Sequence, residues 1–379
     1  MKKPSRSARK SKTLARTTVA RSEREPQMAN AASKMMVAEA DIQALTQACR
    51  AATAEFFEEG KPRSNVVGIG AGVKWKNGEP TGDPAVLVLV TQKVAKEHLS
   101  PADVVPAKLH DMSTDVLAVG FPVAGAPADD VGIQTLTKKV RPASGGYSVG
   151  HFQITAGTIG TCVYDILPGG STDPVNPVHG VGVPSKFYIL SNNHVLANVN
   201  AGPIGAPVLQ PGPIDGGVNP ADKIAQLSRF IPIQLAPAVP LPSQNNIVDC
   251  AVAEGDFHDL NREIYWGGYV RGWRRRSQVL QMVGQTVKKT GRTTNFTTGR
   301  ITAVNATIDV NYNGGRIGRM KDQIVTTNMS AGGDSGSLVM TLDNIAIGLL
   351  FAGSAQSMIA NQIENVRTLL RVEVAEQIL

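Results

Sequence analysis

The chain has 379 residues, of which 42% are hydrophobic, 18% are charged and 5% are aromatic. This length corresponds to two or three domains at the usual ~100–200 residues per domain, with enough apolar residues for a sizeable core. Glycine (38) and proline (23) are frequent, which predicts many loops. Their content is too low for a collagen-like chain or for a chain that is disordered throughout. No segment approaches the ~18 consecutive apolar residues of a membrane-spanning helix, so no membrane span is predicted.

The net charge of +7 is concentrated at the N-terminus. Residues 1–24 contain nine Lys or Arg residues and one acid, whereas the rest of the chain is almost neutral. We expect residues 1–32 to form a basic, disordered tail; the alternative is a weak electrostatic contact of this tail with nucleic acid or an anionic surface. The tail lacks the apolar segment of a secretory signal, which favours a cytoplasmic location.

The cysteines and histidines suggest no metal or disulfide framework. Cys49, Cys162 and Cys250 are odd in number and far apart, which fits a reducing compartment. Three histidines have no Cys, Asp or Glu partner at ligand spacing: His151, His179 and His258. We therefore predict neither a metal site nor a cofactor.

An amphipathic helix is predicted for residues 33–60. Apolar residues recur there at spacings of three and four, Ser33 is a suitable N-cap, and Gly60 followed by Pro62 is a suitable end. We expect the apolar stripe to pack on the chain's own body. The alternative is that residues 33–59 form an inter-subunit coiled coil and make the protein a homo-oligomer.

Residues 61–121 are predicted to form a small α/β domain. The segments NVVGIGAGVKW, AVLVLVTQKV and TDVLAVG indicate three strands, with the second apolar on both faces and therefore central. A short helix is expected to begin at Ser100 and Pro101. The Pro-, Ala- and Gly-rich residues 122–140 are expected to be a linker.

The sequence pattern of residues 141–379 differs from that of the preceding residues. Short β-branched runs alternate with Gly, Pro, Asn and Asp, a pattern typical of an all-β barrel or sandwich. Residues 198–245 are rich in proline and are predicted to form a long surface excursion. A closing helix is predicted near Ile363 to Leu370.

Three short motifs in this region suggest chemistry. YILSNNHVLA places His194 after an apolar strand, NNIVDCAVA places Asp249 within another, and MSAGGDSGSLVM places Ser335 in a glycine-rich turn. A serine hydroxyl needs an imidazole to accept its proton and a carboxylate to orient that imidazole, and His–Asp–Ser is one chain order for such a triad. Glycines before the serine allow backbone N–H groups to point at a developing oxyanion.

These motifs resemble those of the chymotrypsin-like (trypsin-fold) serine peptidases, over about residues 145–353. The whole chain, with its small N-terminal unit, is similar to bacterial trypsin-like proteins that also resemble a plant leaf-development protease. The resemblance implies a mainly β fold, with a double β-barrel of the chymotrypsin type in residues 141–379 after the helix and the α/β unit. Asn192-Asn193 before the histidine and GDSGS in place of GDSGG depart from the family pattern.

The resemblance also implies roles for individual residues. Ser335 is the expected nucleophile, His194 the general base and acid, and Asp249 its orienting partner. The N–H groups of Gly333 and Ser335 are the expected oxyanion hole. The expected reaction is hydrolysis of peptide bonds in a protein or peptide substrate through an acyl-enzyme.

Two finer expectations concern the surroundings of the serine. The resemblance implies a specificity pocket formed by Met329, Phe351 and Gly353, with a preference for apolar residues because no carboxylate lies at its floor. FAGS (351–354) lies where the family pairs with substrate. Asp334 needs a buried cationic partner, and Arg292 is the residue that the resemblance suggests.

The sequence leaves two alternatives to an endopeptidase open. One is a catalytically weak or inactive protein that uses the protease fold as a binding module or scaffold. The other is a nucleic-acid-associated protein anchored by its basic tail.

Overall fold

The computed structural model describes residues 34–125 and 135–379, apart from 35, 59–62, 64, 78, 102 and 313. The predicted basic tail and residues 126–134 of the predicted linker lie outside these residues, as do Ser33, Gly60 and Pro62. The expected contacts of the tail and the domain boundaries stay predictions. Within the described part of the chain, no helix is long and apolar enough to cross a membrane.

The first barrel is a closed ring of six strands, one of them interrupted. Its strands are β6 Ser148–His151, β7 Gly157–Thr158, β8 Thr161–Asp165, β9 Phe187–Ser191, β10 Pro207–Leu209, β11 Lys223–Phe230 and β12 Ala251–Gly255. Strand β5, Ala143–Gly145, precedes them and belongs to a separate three-stranded sheet. The order around the ring is β6, β10, β11, β12, β9 and β8. Strand β8 pairs with β9, while β7, just before it in the chain, pairs with β6, so the broken strand β7–β8 closes the ring.

The second barrel is also closed and six-stranded. The order is β16, β19, β20, β21, β18 and β17, and the pairing of β16 with β17 completes the ring. Its bounds are β16 Thr286–Gly291, β17 Asn295–Asn311, β18 Ile317–Thr327, β19 Leu338–Thr341, β20 Ile345–Gly353 and β21 Ser357–Gln362. Two closed barrels confirm the predicted mainly β, double-barrel fold.

Shorter elements connect and cover the barrels. Between them lie β13 Leu260–Ile264, β14 Gly268–Tyr269, β15 Gly272–Trp273 and helix α3 Arg276–Val279. The predicted closing helix is present as α4, Ile363–Leu370, and β22 (Val372–Glu373) then returns to pair with β8 of the first barrel. Helix α2, Asn193–Leu196, follows β9.

The N-terminal unit extends the sheet of the second barrel. Its elements are helix α1 Glu39–Phe56 and strands β1 Val66–Lys76, β2 Glu79–Val90, β3 Lys108–Leu109 and β4 Met112–Ala118. Strand β17 is long enough to pair with β16 through its first half and with β1 through its second half. Strand β2 lies between β1 and β4, which agrees with its apolar character on both faces.

Helix α1 packs its apolar face on the chain's own body. Leu45, Cys49, Ala52 and Phe56 are buried in one core cluster with strands of the N-terminal unit and of the second barrel. This is the arrangement that we preferred for the stripe, and oligomer formation through the helix stays a prediction. All three cysteines of the chain are free and buried.

Two local expectations are wrong. The described residues around Ser100 form no helix, and a 3₁₀ turn lies earlier, at Lys96–His98. Residues 198–245 are not only a surface excursion, because they contribute β10 and β11 to the first barrel. Prolines bracket these strands rather than interrupt β11, so the proline content of the region concealed them.

Candidate active site

His194 is presented by the short helix α2 at the end of strand β9. Its side chain is largely buried, and Nδ1 lies 2.7 Å from Oδ2 of Asp249. A carboxylate oxygen accepts, so Nδ1 is the donor in this hydrogen bond. The backbone N–H of His194 also donates to Oδ1 of Asp249 at 3.2 Å. The aspartate therefore holds both the main chain and the ring of this histidine.

Asp249 is fully buried and lies two residues before strand β12 rather than within a strand as the sequence predicted. Two asparagines fix its main chain: its N–H donates to Oδ1 of Asn361 at 3.0 Å, and its carbonyl oxygen accepts from Nδ2 of Asn192 at 2.8 Å. Nδ2 of Asn361 donates to the same oxygen at 3.1 Å. Asn192, a departure from the family pattern, thus helps to position the aspartate.

Tyr312 is a neighbour of this pair that the sequence analysis did not identify. Its ring lies edge-on to the imidazole of His194, with centroids 6.3 Å apart. Burial, and then the negative charge of Asp249, raise the pKa of Tyr312 well above its ordinary value. The tyrosine therefore stays neutral beside the carboxylate. No motif marks it, because it lies at the end of β17, far from both residues in sequence.

Ser335 lies in the tight turn between β18 and β19. Gly333 and Gly336 on either side have φ angles of +93° and +97°, a left-handed conformation that favours glycine. The carbonyl oxygen of Ser335 accepts from the N–H of Thr158 at 2.7 Å, which ties the turn to the first barrel. The turn is thereby held in the cleft between the barrels.

One polar atom near this turn lacks a partner. Nε2 of His194 is buried and makes no hydrogen bond within the described residues. Ser335 lines a cavity together with Gly125, and a Cβ built on Gly125 would lie 3.9 Å from this Nε2. The structure therefore brings His194 and Ser335 to the same cleft.

The buried cationic partner of Asp334 is Lys289, not Arg292. Lys289 Nζ lies 2.8 Å from Oδ2 of Asp334, and both side chains are completely buried. The same carboxylate accepts backbone N–H groups from Thr293, Thr294 and Ala331 at 2.8–3.1 Å. Burial lowers the pKa of Lys289, while the charge of Asp334 opposes that shift. This network fixes the turn that carries Ser335.

The predicted pairing of Arg292 with Asp334 is therefore wrong. Arg292 follows the end of β16, and its guanidinium makes a bidentate ion pair with Asp215 of the first barrel, with Nε 2.8 Å from Oδ2. Lys289 lies within β16, and its side chain is completely buried. The need for an internal cation was correctly inferred, but a buried residue of the strand supplies it rather than the residue after its end.

The predicted specificity pocket needs a similar correction. Beside Ser335 lies a cavity of about 380 Å³, and Gly353 lines it, as expected. Met329 and Phe351 do not, because both are buried in core clusters. The described residues that line it are all uncharged: Gly120, Phe121, Val123, Gly125, Asn328, Ser330, Ala331, Gly332, Ser335, Leu350, Ala352, Gly353, Ser354, Ala355 and Gln356.

Two parts of the chain are similar to known sequences. Residues 50–119 match the family model described as the NARROW LEAF 1 N-terminal domain. Glutamyl endopeptidase 2 of Streptomyces griseus is 53% identical over 55 residues, which are 14% of this chain and 27% of that protein. The chain thus spans about a quarter of the length of this curated relative. The predicted resemblance to trypsin-like serine peptidases is confirmed.

The chain also matches solved structures of bacterial proteases. Thermobifida fusca protease A has a TM-score of 0.40 at 17% identity, covering 62% of this chain and 98% of that structure. Cellulomonas bogoriensis chymotrypsin has a TM-score of 0.38 at 18% identity, covering 62% of this chain and 98% of that structure.

Proposed function

We propose that this chain is a serine endopeptidase with His194, Asp249 and Ser335 as its catalytic triad. The observation that supports this most strongly is the 2.7 Å contact between Nδ1 of His194 and the buried carboxylate of Asp249, which leaves Nε2 unpartnered in the cleft that Ser335 lines. A buried polar atom without a partner is costly, and such atoms in native structures often serve catalysis.

The proposed mechanism follows from these positions. Nε2 of His194 accepts the proton of the Ser335 hydroxyl while the oxygen attacks a peptide carbonyl carbon, and Asp249 stabilises the imidazolium that forms. His194 then protonates the leaving amine, which departs as the C–N bond breaks. Water, deprotonated by the same imidazole, hydrolyses the acyl-enzyme and restores Ser335.

The N–H groups of Gly333 and Ser335 are the proposed oxyanion hole. Both belong to the turn that the Asp334 carboxylate and Lys289 hold in place. Preorganised donors of this kind are typically worth about 10²–10³ in kcat each. The buried ion pair thus supports catalysis without contact with the substrate.

We infer that the preferred side chain before the scissile bond is small to medium-sized and uncharged. Among the residues that the structure describes, the cavity beside Ser335 offers no carboxylate for a Lys or Arg side chain and no cation for a glutamate, although the matched relative is named a glutamyl endopeptidase. An unpaired charge in such a site is expensive. A peptide-library profile dominated by charged residues at this position would contradict the inference.

The proposed function predicts that Ser335→Ala abolishes the digestion of denatured casein. The loss should exceed about 10³-fold, because removing a triad residue disables the whole unit. The matched control is Ser337→Ala, two residues away in the same turn, whose hydroxyl donates to the Asp334 carbonyl at 2.6 Å. The control should retain most of the activity, since it loses only one neutral hydrogen bond.

Retention of more than a few per cent of the wild-type digestion by Ser335→Ala would disprove the assignment of the nucleophile. Digestion that is absent from the wild type even after long incubation would instead favour a binding module on a protease fold.

A further inference from the structure

A segment of the N-terminal unit runs along the edge of the cleft that a peptide substrate is expected to use. Residues 119–125, which we call the cleft segment, follow β4. Val123 donates its N–H to the carbonyl oxygen of Gly353 at 3.0 Å and accepts from the N–H of Gly353 at 3.2 Å. This is antiparallel strand pairing with the end of β20.

The other edge of the cleft segment is also bonded. Ala124 N–H donates to the carbonyl oxygen of Asn311 at 3.0 Å, and Asn311 N–H donates to that of Pro122 at 3.1 Å. The hydroxyl of Ser357 donates to the carbonyl oxygen of Val119 at 2.8 Å. The segment therefore lies as an inserted strand between β17 and β20, and the side chain of Ala124 is buried in the core cluster beneath it.

The cleft segment ends beside the proposed catalytic base. A Cβ built on Gly125 would lie 3.6 Å from Cδ2 of His194, and Phe121, Val123 and Gly125 all line the cavity that Ser335 lines. The φ angle of Gly125 is +67°, in the left-handed region. An extended peptide keeps negative φ angles, so the extended conformation of the segment does not continue through Gly125.

We propose that the cleft segment is an internal inhibitor that occupies the peptide-binding edge at Gly353 and must leave before a substrate strand can pair there. The proposal rests on the proposed function for the identity of this edge. Peptides that add a strand to a sheet edge use the same N–H and carbonyl groups that Val123 now occupies. The N–H and the carbonyl oxygen of Gly353 are both bonded to Val123, so they cannot pair with a substrate strand at the same time.

The free energy needed to displace the cleft segment determines how much the affinity for a free peptide is reduced. A tethered segment competes as if at millimolar concentration, so it outcompetes most free peptides. The apparent Kd of a free peptide is raised by the reciprocal of the fraction of molecules with an open cleft. Weakening the segment should therefore increase the affinity for a peptide in trans without any change to the residues that contact it.

Val123→Pro is the most direct test, because proline has no N–H to donate to Gly353 and residue 122 is already a proline. The matched control is Val183→Pro, an exposed valine that precedes a proline in the first barrel's surface loop. Should Val123→Pro fail to fold, as judged by circular dichroism, Ala124→Asp replaces it, since a charge cannot stay at that buried position.

Peptide binding is measured with all variants in a Ser335→Ala background. The probe is a fluorescein-labelled peptide with the sequence of residues 119–125, VGFPVAG, followed by anisotropy. We expect Val123→Pro to bind it at least about tenfold more tightly than the parent, and Val183→Pro to match the parent. Equal affinities for all three proteins would overturn the proposal.

Hydrolysis is measured with Ser335 present and separates the two claims. Faster cleavage of small peptide substrates by Val123→Pro than by wild type supports both the inhibitor and the peptidase. Tighter binding of the probe with no hydrolysis by any variant keeps the inhibitor and contradicts the proposed function. Equal binding with strong hydrolysis by the wild type contradicts the inhibitor alone.

Discussion

At the scale of single residues, the site depends on groups that are buried and paired. Asp334 accepts from three backbone N–H groups and from Lys289, and none of these contacts reaches the substrate. Their effect is to hold the turn that presents Ser335 and the proposed oxyanion donors. A buried ion pair stabilises little by itself, but removing one partner leaves an uncompensated charge.

Lys289→Met should therefore destabilise the fold by about 3–5 kcal/mol and reduce kcat more than KM. The physical reason is that the unpaired Asp334 carboxylate draws the turn out of its position. Urea unfolding and steady-state kinetics measure the two effects. The control is Arg292→Met, which breaks the pair with Asp215 but leaves Lys289 and Asp334 intact. A Lys289→Met variant with wild-type kcat would show that the pair does not position the turn.

The sequence alone indicated the three proposed catalytic residues because each lies in a short motif with a recognisable context. It did not indicate Lys289, Tyr312 or Asp215, because each acts through a contact with residues distant in the chain. The need of Asp334 for a cation could be inferred from the cost of an unpaired buried carboxylate. Which cation supplies it depends on the fold, which buries Lys289 of β16 beside Asp334 and places Arg292, after the end of the strand, beside Asp215.

At the scale of elements, the long strand β17 joins the N-terminal unit to the second barrel. Strand β1 pairs with its second half at Gly68, Ile69 and Ala71. Gly68 has no room for a side chain, since a Cβ there would lie 2.7 Å from the carbonyl oxygen of Thr307. Helix α1 and the barrel share one core cluster across this junction. The periodicity of each element was readable from the sequence, but this long-range pairing was not.

Gly68→Val should consequently destabilise the whole chain rather than the N-terminal unit alone. The added side chain collides with the backbone of β17 and would push β1 away from it, at a cost of about 1–3 kcal/mol or more. Differential scanning calorimetry should show one transition shifted to lower temperature. Two transitions, of which only one moves, would show that the unit and the barrel unfold independently.

At the scale of the whole molecule, the barrels and the N-terminal unit converge on one cleft. The first barrel supplies His194 and Asp249, the second supplies Ser335 and Gly353, and the N-terminal unit supplies the cleft segment. The pattern of short β-branched runs predicted a barrel or sandwich, and the resemblance to trypsin-fold peptidases implied two barrels. Neither predicted that residues 122–125 of the expected linker would pair within the cleft, because that pairing uses backbone groups and leaves no mark in the side chains.

The most direct test of the account is the site of reaction with a fluorophosphonate probe. The probe requires an activated serine and forms a stable adduct, so even a cleft that opens slowly accumulates label. Wild type, Val123→Pro and His194→Ala are incubated with the probe. The mass of each intact protein is measured by mass spectrometry, and a digest is used to map the labelled residue. We predict one adduct per chain, on Ser335, formed faster in Val123→Pro and absent from His194→Ala. An adduct on another residue, or no adduct on folded Val123→Pro, would contradict the account.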